Sequence, residues 1–144
     1  MQSFKLIIAT MLLVFAGAAS AGKIIWSEKQ SDGSQNLTVY VFWSESCPHC
    51  KVAVPFMENL EQQHPWLDVQ FKEVSQSDKN MELYRAMAAA IGEDASMVPA
   101  FLWCGTMYSG YGDDELTGSW ISDEIKACRN NPRAYQAEWG KPPK

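Results

Sequence analysis

The stretch "WSESCPHCKVAVP", Trp43 to Pro55, places two cysteines, Cys47 and Cys50, two residues apart. They follow directly on the apolar run Leu37–Trp43. In that run Leu37, Val39, Val41 and Trp43 share one face, and Thr38, Tyr40 and Phe42 share the other. Both faces are largely apolar, the pattern of a strand covered on each side by helices. After Cys47 the spacing of Val52, Phe56 and Leu60 predicts a helix that buries those three residues. Pro48 falls in its tolerant first turn, and Pro55 kinks it from inside. Cys47 therefore stands between a strand end and a helix start, where free N–H groups and the helix dipole stabilise a thiolate. Cys50, a turn further in, is expected to be less exposed and to resolve the mixed disulfide that Cys47 forms.

Around this stretch the pattern alternates. Ile24–Trp26 predicts a short edge strand, and Ser31-Asp32-Gly33 a turn. The first helix ends by His64-Pro65, and a second strand follows over Val69–Val74. Ser77, Asp78 and Asn80 are cap candidates for a helix over Met81–Ile91, buried through Leu83, Met87 and Ile91 and closed by Gly92. Val98–Cys104 predicts a strand that turns at Gly105-Thr106 into Met107–Ser109, an antiparallel hairpin. Gly110, Gly112 and Gly118 mark a loop before the helix Trp120–Arg129, whose inner face is Ile121, Ile125 and Cys128. Asn131-Pro132 breaks it, and Arg133–Trp139 predicts a further helical turn. The order β-α-β-α-β-β-α implies an α/β fold, a central mixed sheet with helices on both faces.

The N-terminus reads as a removable address. Lys5 precedes the apolar run Leu6–Ala16, which ends in Ala19-Ser20-Ala21, an A-x-A-type cleavage site. The run is too short to span a membrane comfortably, although an uncleaved anchor is the alternative. Three segments are therefore expected: signal peptide 1–21, one domain 22–131 and a C-terminal extension 132–144. Removing 21 of 144 residues leaves 123, enough for one domain with its own core. The net charge of −5 offers no electrostatic footprint for nucleic acid or anionic lipid. No later segment is long and apolar enough to span a membrane. An exported chain, periplasmic or otherwise, keeps disulfides, and its four cysteines allow three pairings.

With these residues in view, "VYVFWSESCPHCKVAVPF" resembles the active-site strand, dithiol and kinked first helix of the thioredoxin superfamily, including a proline five residues after the second cysteine, Pro55. Met97-Val98-Pro99 resembles that superfamily's cis-proline loop. The resemblance covers roughly residues 37 to 129. It implies a thioredoxin-like fold, a cis Val98-Pro99 peptide beside Cys47, and a substrate groove at Val98 and Pro99. The Cys-Pro-His-Cys form resembles the disulfide-donating DsbA branch. It departs from that branch because Lys51–Val98 leaves no room for an inserted helical domain. It also has Val41 where the superfamily often buries an acid, six residues before the first cysteine. Glu45, acting through water, is an alternative proton mover.

The activity implied is protein thiol–disulfide oxidoreduction. Cys47 is nucleophile and Cys50 resolving thiol. His49 tunes the pair by donating hydrogen bonds or positive charge to the Cys47 sulfur, making the disulfide a stronger oxidant. No metal and no dissociable cofactor is needed. The expected partners are cysteine-containing protein substrates and a redox partner that recycles the dithiol. Nothing resembles a dimerisation domain, so a monomer is expected and isomerase action is the weaker choice. A disulfide donor is favoured over a dedicated reductant of one partner in cytochrome or assembly-factor maturation.

In the fold implied, the last helix packs near the strand that Cys104 ends, so a structural Cys104–Cys128 disulfide is expected; a second redox couple is the alternative. Two other classes compete. Zinc could use the cysteines with His49 and His64, but Cys104 and Cys128 lack a second knuckle; soft-metal hand-off through Cys47 and Cys50 is a variant. A passive binding module could use Tyr108, Tyr111, Trp120, Tyr135 and Trp139, yet a full dithiol motif argues against passivity.

Overall fold

The computed structural model describes residues 24–132. The leader 1–21 and the helical turn Arg133–Trp139 lie outside them. The chain runs β1 (Ser27–Lys29), β2 (Gln35–Trp43), α1 (Cys50–Gln63), β3 (Leu67–Glu73), α2 (Asp78–Ala90), β4 (Ala100–Trp103), β5 (Thr106–Ser109), a π-helical turn (Asp114–Gly118) and α3 (Ser119–Asn130).

These elements form a thioredoxin-like α/β fold with a mixed five-stranded sheet. β2 is its centre, parallel to β3 from Leu37↔Leu67 to Trp43↔Glu73. On its other edge β2 pairs antiparallel with β1 near its start and with β4 near its end. β4 and β5 form the predicted hairpin. The alternation in β2 does what period-two burial requires. Leu37, Val39 and Val41 enter one core with Ala53, Met57 and Leu60 of α1 and Ile121, Ile125 and Cys128 of α3. Phe42 enters the other with Tyr84, Met87 and Ala88 of α2, and Tyr40 packs against it. Helices thus cover both faces.

Several boundaries differ from the expectations, each for a local reason. The edge strand is Ser27–Lys29 rather than Ile24–Trp26. Ile24 and Trp26 instead pack on the α2-side core, while the Trp26 carbonyl still accepts the Thr38 N–H at 2.9 Å. In α1 the buried row is Cys50, Ala53, Met57 and Leu60, so Phe56 is only half-buried and Val52 stays 46% exposed. The spacing-four pattern found a true helix but rotated its inner face, because small Ala53 hides the contact. In α2 the buried positions are Tyr84, Met87 and Ala88, while Leu83 and Ile91 lie at the rim. Ser77 is its N-cap, accepting the Asn80 N–H at 3.3 Å. Its C-terminus closes through Gly92 N–H to the Ala89 carbonyl and Glu93 N–H to the Ala88 carbonyl. That arrangement needs the left-handed φ of +78° at Gly92.

The β4–β5 turn is the two-residue loop Cys104-Gly105, not Gly105-Thr106, since Trp103 pairs with Thr106. Both turn residues have positive φ, 49° and 75°, which matches the twist of the flanking strands. Cys104 is bonded through sulfur to Cys128, with Cα atoms 6.6 Å apart and a sequence separation of 24. The bridge ties the hairpin tip to the last turn of α3. Changing both cysteines to alanine is expected to lower the unfolding free energy by about 3 kcal/mol, from the lost loop constraint, as measured by urea titration.

Candidate functional site

β2 delivers its C-terminal end to a tight turn. The Cys47 N–H donates to the Ser44 carbonyl at 3.1 Å, and Ser44 itself is buried. The chain then enters α1 almost at once. The Lys51 N–H donates to the Cys47 carbonyl at 3.3 Å, and the Ala53 N–H to the His49 carbonyl at 3.0 Å. Pro48 has no N–H to leave unpaired in this turn. α1 is regular only from Cys50, so Cys47 stands just outside the helix and Cys50 opens it.

The two sulfurs occupy different surroundings. Both cysteines are free thiols; Cys47 is partly exposed and Cys50 fully buried. The Cys50 N–H donates to Cys47 Sγ at 3.2 Å. From the other side Cys47 Sγ lies 3.5 Å from the Val98 carbonyl, to which its thiol donates. The Val98-Pro99 peptide is cis, and the Gly110 N–H donates to the Pro99 carbonyl at 2.8 Å, anchoring the loop to the residue that follows β5. Cys47 is thus brought against the Val98 carbonyl of the cis peptide. Burial, then the hydrogen bond with Cys47, pushes the Cys50 thiol up to about 12.

His49 is exposed at the N-cap of α1, and its ring makes no capping hydrogen bond. Val41 is fully buried in the core under the α1–α3 layer. The groups that shift Cys50 are Cys47 and the Ser44 backbone, with no carboxylate among them. Glu45 is exposed in the turn. The sequence reading missed the part played by Ser44, since only the closed turn points its backbone at the inner thiol. It also left Glu61 as surface, whereas Glu61 Oε1 accepts the Val69 N–H of the edge strand β3 at 2.7 Å. Among the described residues no group of three or more His, Cys, Asp or Glu could hold a metal ion. Among them, too, no helix is long and apolar enough to cross a membrane.

The asymmetry predicts selective chemistry. At pH 8 one equivalent of iodoacetamide should label Cys47 at least about 50-fold faster than Cys50, because the Cys50 thiolate is scarce and buried; peptide mapping reads this. A linked effect follows on stability. A thiol raised from 9.0 to about 12 stabilises the reduced fold fully below pH 9, and that contribution is lost as pH rises towards 12. Burial also raises Tyr40 and Tyr84, and raises Tyr111 most. The comparison is therefore reduced wild type against reduced Cys50→Ala: between pH 9 and 12 the wild type should lose stability more steeply.

No protein-family model matches this chain, and no curated protein is similar to it at a significant level.

Proposed function

We propose that this chain is an exported thiol–disulfide oxidoreductase that donates a Cys47–Cys50 disulfide to cysteines of protein substrates. The observation that carries the reading is the division between an accessible sulfur with an N–H donor and a buried partner whose thiol holds its proton. In the oxidised form a substrate thiolate attacks Cys47 Sγ. The Cys47–Cys50 bond breaks, a substrate–Cys47 bond forms, and Cys50 leaves with the electron pair and takes a proton. A second substrate thiolate then attacks the substrate sulfur of the mixed disulfide. Cys47 leaves as a thiolate held by the Cys50 N–H. The substrate gains a disulfide, and the protein keeps two electrons as a dithiol. A recycling partner with a disulfide or equivalent two-electron oxidant removes them.

The inner thiol supports this direction. The mixed disulfide has two fates: forward attack by the substrate, or return attack by Cys50. Burial disfavours the Cys50 thiolate and no carboxylate acts on it, which slows its return attack and supports partition towards substrate oxidation. The same feature hinders a reductant, which needs Cys50 to attack. Val98 contributes a carbonyl beside the reacting sulfur, free to accept a substrate N–H once Cys47 no longer donates to it. His49, exposed at the start of α1, is read as the residue that tunes the pair. Cys104–Cys128, at the opposite end of β4, is read as a structural staple.

Equilibration with glutathione buffers tests the direction. A reduction potential near about −120 mV is expected for a donor; one near about −270 mV would mark a reductant and overturn it. Export is tested by N-terminal sequencing of protein recovered outside the cytoplasm, which should begin at Gly22. An intact Met1 would overturn cleavage.

A further inference from the structure

A cleft of about 590 Å³ lies between the outer face of α1 and the π-helical turn, lined by Lys51, Val52, Pro55, Phe56, Asn59 and Asp114. Its α1 wall begins just beyond the reactive cysteine. The Lys51 N–H donates to the Cys47 carbonyl at 3.3 Å, and Pro55, four residues on, is the neighbour of Lys51 on the helix surface. Val52, 46% exposed, supplies apolar surface beside them, and Leu116, 75% exposed, projects from the opposite wall's turn.

The opposite wall is held close and rigid. Phe56 and Tyr111 pack with ring centroids 6.0 Å apart, and Tyr111 Oη donates to Asp114 Oδ1 at 2.7 Å. Gly118 permits this approach, since a Cβ there would stand 2.5 Å from Tyr111 Oη and 2.8 Å from the Phe56 ring. Asp114 is thereby held near Phe56, six residues into α1 from Cys50. At about 1.5 Å per residue that is roughly 9 Å, and the turn back to Cys47 extends the span to on the order of four residues of extended peptide. The cleft is thus polar at both ends and apolar between, with a cation one turn from the dithiol and a carboxylate further on.

We infer that this cleft selects substrates of the proposed oxidoreductase, docking an extended segment that carries a lysine or arginine about four residues from its cysteine, with apolar residues between. The inference rests on the thiol–disulfide reading of Cys47. Charge complementarity sets the order. Asp114 attracts the distant base, Lys51 disfavours a base directly beside the cysteine, and the chain's net charge of −5 favours cationic segments generally.

The test uses pairs of isomeric peptides, Cys-Leu-Ala-Leu-Lys against Cys-Lys-Ala-Leu-Leu and the same two with reversed chain direction, so that composition and charge are constant within a pair. The rate at which each reduces the oxidised full-length protein is measured at low salt. In one chain direction the four-spaced peptide is expected to react about 3- to 10-fold faster. Asp114→Asn, which keeps an acceptor for Tyr111, should bring the ratio within about twofold, Lys51→Gln should narrow it, and Glu93→Gln on the α2 face should leave it unchanged. The rate with glutathione should be the same in the wild type and Glu93→Gln. Equal rates in both directions, or a preference that survives Asp114→Asn, overturn the cleft's role while the redox reading stands. Failure of glutathione to open the Cys47–Cys50 bond removes the redox reading, and the cleft's role with it.

Discussion

β2 is hydrogen-bonded along both edges, and the position of the dithiol depends on that. β3 holds it in parallel register over its last seven residues, while β4 pairs antiparallel across Tyr40–Phe42. The antiparallel pairing sends the start of β4 to the same end as Trp43. That is why Val98, just ahead of β4, presents its carbonyl to Cys47 although 51 residues separate them. A slip of one residue between β2 and β4 would exchange the two cores and carry Val98 away from the sulfur. The strand that supplies most of the core thus also aims the site.

Burial creates the chemical difference between the two cysteines. Cys50 begins the inner row of α1 and enters the core contacts of that helix, so ionising it means placing charge in an apolar layer. Cys47, three residues earlier, is outside the helix and meets one donor and one acceptor. Both are main-chain groups, the Cys50 N–H and the Val98 carbonyl, positioned by the fold without side-chain ordering. At the inner thiol burial outweighs the backbone groups of Ser44 and Cys50 that act against it.

The far end of the sheet is organised differently. There the hairpin turn at Cys104-Gly105 is tied to α3 by sulfur, and Arg129 joins α3 to the start of β2 by donating to the Gln35 carbonyl at 3.1 Å while lying 4.5 Å over the Trp66 ring. These links brace the end away from the dithiol. The end bearing Cys47 is left with the exposed turn, the Val98 loop and the π-helical turn, surfaces that a partner can reach.

Local patterning was enough for the element order, the two-faced strand, the Gly92 stop, the inner face of α3 and the dithiol at a helix start. Each of these is written in neighbouring residues: alternation, caps, a spacing of two cysteines. The rotation of α1 was not, because Val52 and Ala53 compete for the core and the hydrophobicity of valine outweighs alanine until packing against β2 excludes the larger side chain. Nor were the Ser44 backbone contact, the Glu61 bond to β3, or the alignment of Asp114 with Phe56. Those arise between segments distant in sequence, where the partner is chosen by strand register and by the space a residue such as Gly118 leaves open. The residues thus specify which chemistry is carried, a thiol pair, while its asymmetry and its surroundings come from long-range burial that no local spacing encodes.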